Sequence, residues 1–98
     1  NHNVRYREIL FHVQTENSGS PMNVISTHLF HAGAIYHTVK TSYATILRQE
    51  LAHTVDSLTH DDKLSLHKHM KLQHLKMIKF LKNGSLDDKI SSLLMSSM

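Results

Sequence analysis

Apolar side chains recur along the chain from Pro21 to Leu58, a stretch with one internal glycine, Gly33, and no further proline. Ile25, Ala32, Val39 and Ile46 fall every seven residues, and Leu29, Tyr36 and Tyr43 fill the 4/3 steps between them. This is the spacing of a helix with one sticky stripe, and it predicts a long helix over 21–58. At 1.5 Å per residue that helix would be roughly 55 Å long. The register continues into Glu50 and His53, so the last turns of the stripe are polar.

The flanking segments read the same way. Tyr6, Ile9, Leu10 and Val13 stand at i, i+3, i+4 and i+7, which predicts a short amphipathic helix over 3–16. Asn17-Ser18-Gly19-Ser20-Pro21 breaks it with turn and cap residues. Thr59 followed by Asp62 makes a capping box with aspartate in the usual glutamate place, opening a helix over 60–82 that Asn83-Gly84 stops. Ser85 with Asp88 repeats the cap pattern, and Leu86, Ile90, Leu93 and Leu94 predict a last short helix over 86–95. The expected fold is therefore all-α. It is a single-domain bundle with one long central helix, two shorter main helices and a short C-terminal helix.

Composition agrees with a small helical domain. The 98 residues are 40% hydrophobic, with no tryptophan and one proline. The absence of cysteine removes disulfides, thiol catalysis and iron–sulfur clusters, and it suits a reducing compartment. No apolar run approaches the length of a membrane span, and no charged-then-apolar leader stands at the N-terminus, so the reading is a cytoplasmic chain with no transmembrane segment.

Charge alters this picture more than composition does. The net charge is +3, yet Lys63 to Lys82 holds six lysines and no acid. On a helical wheel Lys68, Lys71, Lys79 and Lys82 cluster on one side with Lys76 beside them, opposite Leu66, Met70, Met77, Phe80 and Leu81. Such a stripe can neutralise phosphates or dock on an acidic surface, and its plain alternative is a solvated face. Arginine, the better base reader, is missing from it, so nucleic-acid contact would be to the backbone.

Ten histidines are the other departure from ordinary usage, and they make charge responsive to pH. His60, His67 and His74 repeat every seven residues along the lysine helix, two turns apart, too far to share one metal ion. His28 and His31 at i, i+3 could share a zinc or another divalent transition metal if His12 returned from the first helix, and His53 could meet His60 or His67 across a turn. The plain alternative is histidine at a helix edge, with an apolar body and a wet tip. Glu50 and His53 have the Glu-x-x-His spacing of di-iron bundles, but three glutamates in the whole chain are too few for such a centre. There is no G-x-S-x-G and no glycine-rich phosphate loop.

The expected function is a small non-enzymatic protein-interaction or regulatory module without a cofactor. Ile25, Leu29, Ala32, Tyr36, Val39, Tyr43 and Ile46 would form its core or a homodimer seam. The alternatives are a nucleic-acid or polyanion binder using Lys68, Lys71, Lys76, Lys79 and Lys82, and a metal-binding bundle using His12, His28, His31, His53, His60 and His67.

Overall fold

A computed structural model of the protein describes residues 1–48 and 58–96. Residues 2–42 are not helical. Among the described residues four strands, β1 (His2–Tyr6), β2 (Ile9–Asn17), β3 (Val24–His31) and β4 (Ala34–Ser42), form an antiparallel meander in the order β1-β2-β3-β4. Three described helices follow: α1 (Tyr43–Leu47), α2 (His60–Lys82) and α3 (Ser91–Ser96). The all-α reading and the helix expected over 3–16 are thus overturned, and of the helix expected over 21–58 only α1 is helical, with residues 49–57 lying outside the described residues.

The pattern fitted both periods over short windows, and the strand period prevails. Along β2, Phe11 and Val13 are buried while Leu10 is exposed and His12 only half-buried, which is the two-residue period of a strand. Ten of the twenty residues from Val24 to Tyr43 are β-branched or aromatic, and these gain more from packing on a pleated surface than from a helix. Tyr6 and Ile9, taken as neighbours on a helix face, are the last pair of the β1–β2 ladder instead.

Both tight hairpins turn on two residues with positive φ. Arg7 and Glu8 sit at 49° and 66°, Ala32 and Gly33 at 50° and 84°. Two consecutive left-handed residues make the type I′ turn whose twist matches the flanking strands. Gly33, the one glycine inside the supposed long helix, is therefore a hairpin glycine, and Ala32 is a turn residue rather than a seam residue. Alanine is strained in that conformation. Ala32→Asn is expected to raise stability by about 0.5–1 kcal/mol, read as a higher urea midpoint.

The helix expected over 60–82 stands as α2, but the one expected over 86–95 is shortened to α3, because residues 83–90 form turns and the Ser85 N–H is taken by the Asn83 side chain. In α2 the Thr59 hydroxyl accepts from the Asp62 backbone N–H while the Asp62 carboxylate accepts from the Thr59 N–H. At its other end Gly84 takes φ +86°, a left-handed conformation that residues with a Cβ rarely adopt. The turn beyond it is tied to the β1–β2 hairpin, because Tyr6 donates its hydroxyl to Asp87 at 2.8 Å and Arg7 pairs with the same carboxylate at 3.7 Å.

One face of the sheet carries the core. Val4, Phe11, Val13 and Leu29 meet Met77 and Leu81 of α2 and Leu86 and Ile90 beyond it. A second cluster joins Ile25, Tyr43, Leu58 and Leu66, with Ile46 packed against it. The residues expected to form a helical seam are thus mostly core, but from two paired strands and α1. Ile25, Leu29 and Tyr43 are buried, and Tyr36 and Val39 pack at the margin. The opposite face of the sheet bears His12, His28 and Phe30, and among the described residues no helix packs on it. Among the described residues, no helix is long and apolar enough to cross a membrane.

Candidate functional site at the helix–sheet seam

Between the two apolar clusters lies a polar row. The register sets Thr15 opposite Thr27, Thr27 opposite Val39, and Ile25 opposite Thr41. Above this row α2 presents Gln73 and His74, both buried. Adjacent helical residues point about 100° apart, so the two side chains straddle the line of Leu66, Met70 and Met77 and lean to opposite sides of the helix.

Gln73 leans toward β4. Its amide nitrogen donates to the Thr27 hydroxyl at 3.0 Å and to the carbonyls of Val39 at 3.2 Å and Ile25 at 3.4 Å. Its carbonyl accepts from the Thr41 hydroxyl at 2.7 Å and from His69 Nε2 at 2.9 Å. One side chain therefore bridges two strands and a turn of its own helix, and every polar atom it carries is used.

His74 leans toward β1 and β2. Its Nδ1 is hydrogen-bonded to the Thr15 hydroxyl at 2.8 Å, and its Nε2 to His2 Nδ1 at 2.6 Å. Thr15 in turn bonds Thr27 at 2.8 Å, which links the histidine to the Gln73 side of the network. The pKa of His74 is lowered, first by burial and then by the positive charge of His2, with smaller repulsion from the chain's amino group and His12.

The sign of the resulting pH effect follows directly. A histidine with a lowered folded pKa binds its proton more readily in the unfolded chain, so stability is full above about 6.5, its ordinary value, and falls as pH drops below that. Facing it are His2 from β1 and, on α2, His67 and Lys71, which line the same cleft. His74→Gln is expected to flatten the stability profile below pH 6.5, measured as urea midpoints across a pH series.

A cleft opens on each side of α2. On the β1 side one of about 420 Å³ is lined by His2, Thr15, His67, Met70 and His74. On the β4 side one of about 480 Å³ is lined by Val39, Thr41, Leu72, Gln73 and Lys76. Leu75 stands on the crest between them and borders both. Comparison with known proteins finds no match, neither a family model, nor a curated protein, nor a solved structure. The site's chemistry therefore rests on its own residues.

The lysines expected on one side of the helix are there. Lys68, Lys71, Lys76, Lys79 and Lys82 are all exposed, and Leu66, Met77 and Leu81 face the core. What the wheel did not convey is the company they keep. Leu64, Leu72 and Leu75 lie on the solvent side with them at 54%, 58% and 60% exposure. Residues 72–75 invert the expected polarity, with leucines outside and Gln73-His74 inside. A glutamine flanked by buried-side positions is the sequence signal that could have located the network.

The histidine groupings are dispersed by the sheet. His28 bonds Thr38 at 2.9 Å and Glu16 at 3.2 Å on the open face, whereas His31 donates to the Leu10 carbonyl at 2.9 Å beside Phe11 and Tyr36. His12 donates to Asn3 at 2.9 Å and packs against Phe30. His60 and His67 are exposed on α2, and His53, like Glu50, lies outside the described residues. Among the described residues, no three histidine, aspartate or glutamate side chains form a group that could hold a metal ion.

Proposed function

We propose that the chain is a non-enzymatic protein-interaction module that docks an acidic, partly apolar partner on the outer side of α2. The observation that carries this reading is Leu72 and Leu75, each more than half exposed, standing among Lys68, Lys71, Lys76 and Lys79 on a helix with no acid beyond Asp62. A solvated helix face ordinarily mixes charge signs for i,i+4 support and keeps leucine inside. Here the lysines steer an acidic surface inward and the leucines supply the apolar contact that holds it.

The test is fluorescence anisotropy with a labelled model peptide of glutamates and leucines, beside heparin as a phosphate-like polyanion, both at about 0.15 M salt where surface charge alone is largely screened. Leu72→Asp with Leu75→Asp is expected to weaken peptide binding about tenfold or more, the usual scale for an apolar anchor. Both positions are exposed, so the fold tolerates the change. Binding of heparin in preference to the peptide, with no response to the leucine substitutions, would move the function to polyanion binding through the lysines.

A further inference from the structure

Among the described residues helix α2 lies mainly over β2 and β3 and reaches β4 through Gln73, leaving the inner surface of β4 only partly covered. Val39 and Thr41 floor the cleft so formed, and Leu72, Gln73, Lys76 and Lys79 wall it. β4 is also an edge strand of nine residues. Among the described residues no strand pairs with its outer side, so alternate residues present N–H and C=O groups with no ladder partner. Edges are commonly blunted by bulges, and β4 carries one at its hairpin end, where the step from Leu29↔His37 to Phe30↔Ile35 leaves Tyr36 as the extra residue. From Leu29↔His37 to Val24↔Ser42 the register is unbroken.

Resting on the proposed interaction role, we infer that β4 and this cleft together take an extended acidic peptide of another protein as a fifth strand. Strand addition beside a helix uses two things at once, a backbone ladder for affinity and a groove for alternate side chains. Apolar side chains of the added strand would enter the cleft against Val39 and Leu72. The acidic ones between them fall on the opposite face of the sheet beside Lys40, the single charged residue of β4, while Lys76 and Lys79 at the cleft add a positive field that favours an acidic peptide as a whole. Among the described residues nothing acidic lines the cleft to oppose this arrangement. A second copy of the chain is the poorer occupant, because pairing β4 with itself brings the same lysines face to face.

The experiment uses the whole chain and a short labelled peptide of alternating valine and glutamate. Three comparisons accompany it: the lysine-for-glutamate version, a version N-methylated on every second backbone amide, and the exposed-site variant Lys40→Glu. Binding is expected, with at least about a tenfold loss on N-methylation, which removes backbone hydrogen bonds. The lysine peptide should bind more weakly, and Lys40→Glu should reverse that preference. Amide exchange should slow in β4 when the peptide is bound.

Equal binding of the N-methylated peptide, with no new protection in β4, would overturn strand addition while leaving α2 as a docking face. No binding of any acidic peptide would remove both. Self-association protecting β4 without peptide would make a second copy the occupant and refute the inference.

Discussion

Gln73→Ala is expected to cost about 3–4 kcal/mol in urea denaturation, several times the usual loss for one polar side chain. The reasoning starts from what the amide leaves behind. Thr41 loses its acceptor, Thr27 and the carbonyls of Ile25 and Val39 lose a donor, and His69 loses its anchor on the same helix. A buried polar group left without a partner costs about 1–3 kcal/mol, and the vacated volume adds a cavity term. For a domain whose whole stability is about 5–15 kcal/mol, that is a large share.

Two companion variants separate the causes. Gln73→Glu keeps the shape but exchanges the amide's N–H groups for a carboxylate facing two carbonyls, so burial should raise its pKa. A raised carboxyl pKa penalises the fold when the group is ionised, so part of the lost stability should return as pH falls. Gln73→Met combined with Thr27→Val and Thr41→Val removes the network from both sides and should recover most of the loss, because apolar groups of similar shape replace paired ones. A triple variant as unstable as Gln73→Ala would show that volume, rather than unpaired polar groups, sets the cost.

Tyr43→Ala is expected to destabilise by about 3–5 kcal/mol, the range for deleting a large buried aromatic. Tyr43 is 1% exposed at the start of α1, packed with Ile25, Leu58 and Leu66, and its hydroxyl donates to Asn17. Its backbone N–H donates to the Asn23 carbonyl, so the same residue fixes where the β2–β3 loop meets the helix. Tyr43→Phe should cost only about 0.5–1.5 kcal/mol, since Asn17 keeps the Gly19 N–H as a partner. Tyr36→Ala should cost less than Tyr43→Ala, because Tyr36 lies at the sheet margin, half-buried, and gives up less apolar area. Matching denaturation midpoints for the two alanine variants would contradict the strand placement and favour a seam in which both tyrosines are equivalent.

The tyrosines illustrate why half the fold was misread. Ile25 and Leu29 are four residues apart, a spacing that keeps both on one face of a helix and also on one face of a strand. Ile25 and Val39 are fourteen apart, two heptads and equally an even number of strand steps. The seven-residue step to Ala32 is where the periods disagree, and the hairpin at Ala32-Gly33 falls there, so the conflict was absorbed by a turn. β-Branched and aromatic density favoured strands throughout this stretch, but it competes with a stripe that looked continuous.

The functional surface divides along the same line. The lysine stripe was legible because both faces of α2 are encoded within one element, in residues three and four apart. The two clefts were not, since each needs a sheet edge beside the helix. Thr27 and Thr41 are a buried acceptor and a cleft floor, and no local pattern marks them.

By itself, then, the sequence determined α2: its span, its Thr59–Asp62 cap, its Gly84 stop and its acid-free outer face, all set by interactions within a few residues. Only the tertiary structure decided that the first forty-two residues are strands, and that Gln73 and His74 meet Thr15, Thr27 and Thr41. Strand pairing and buried hydrogen bonds join residues tens of positions apart. Their free energy therefore appears only when the whole sheet is assembled under the helix.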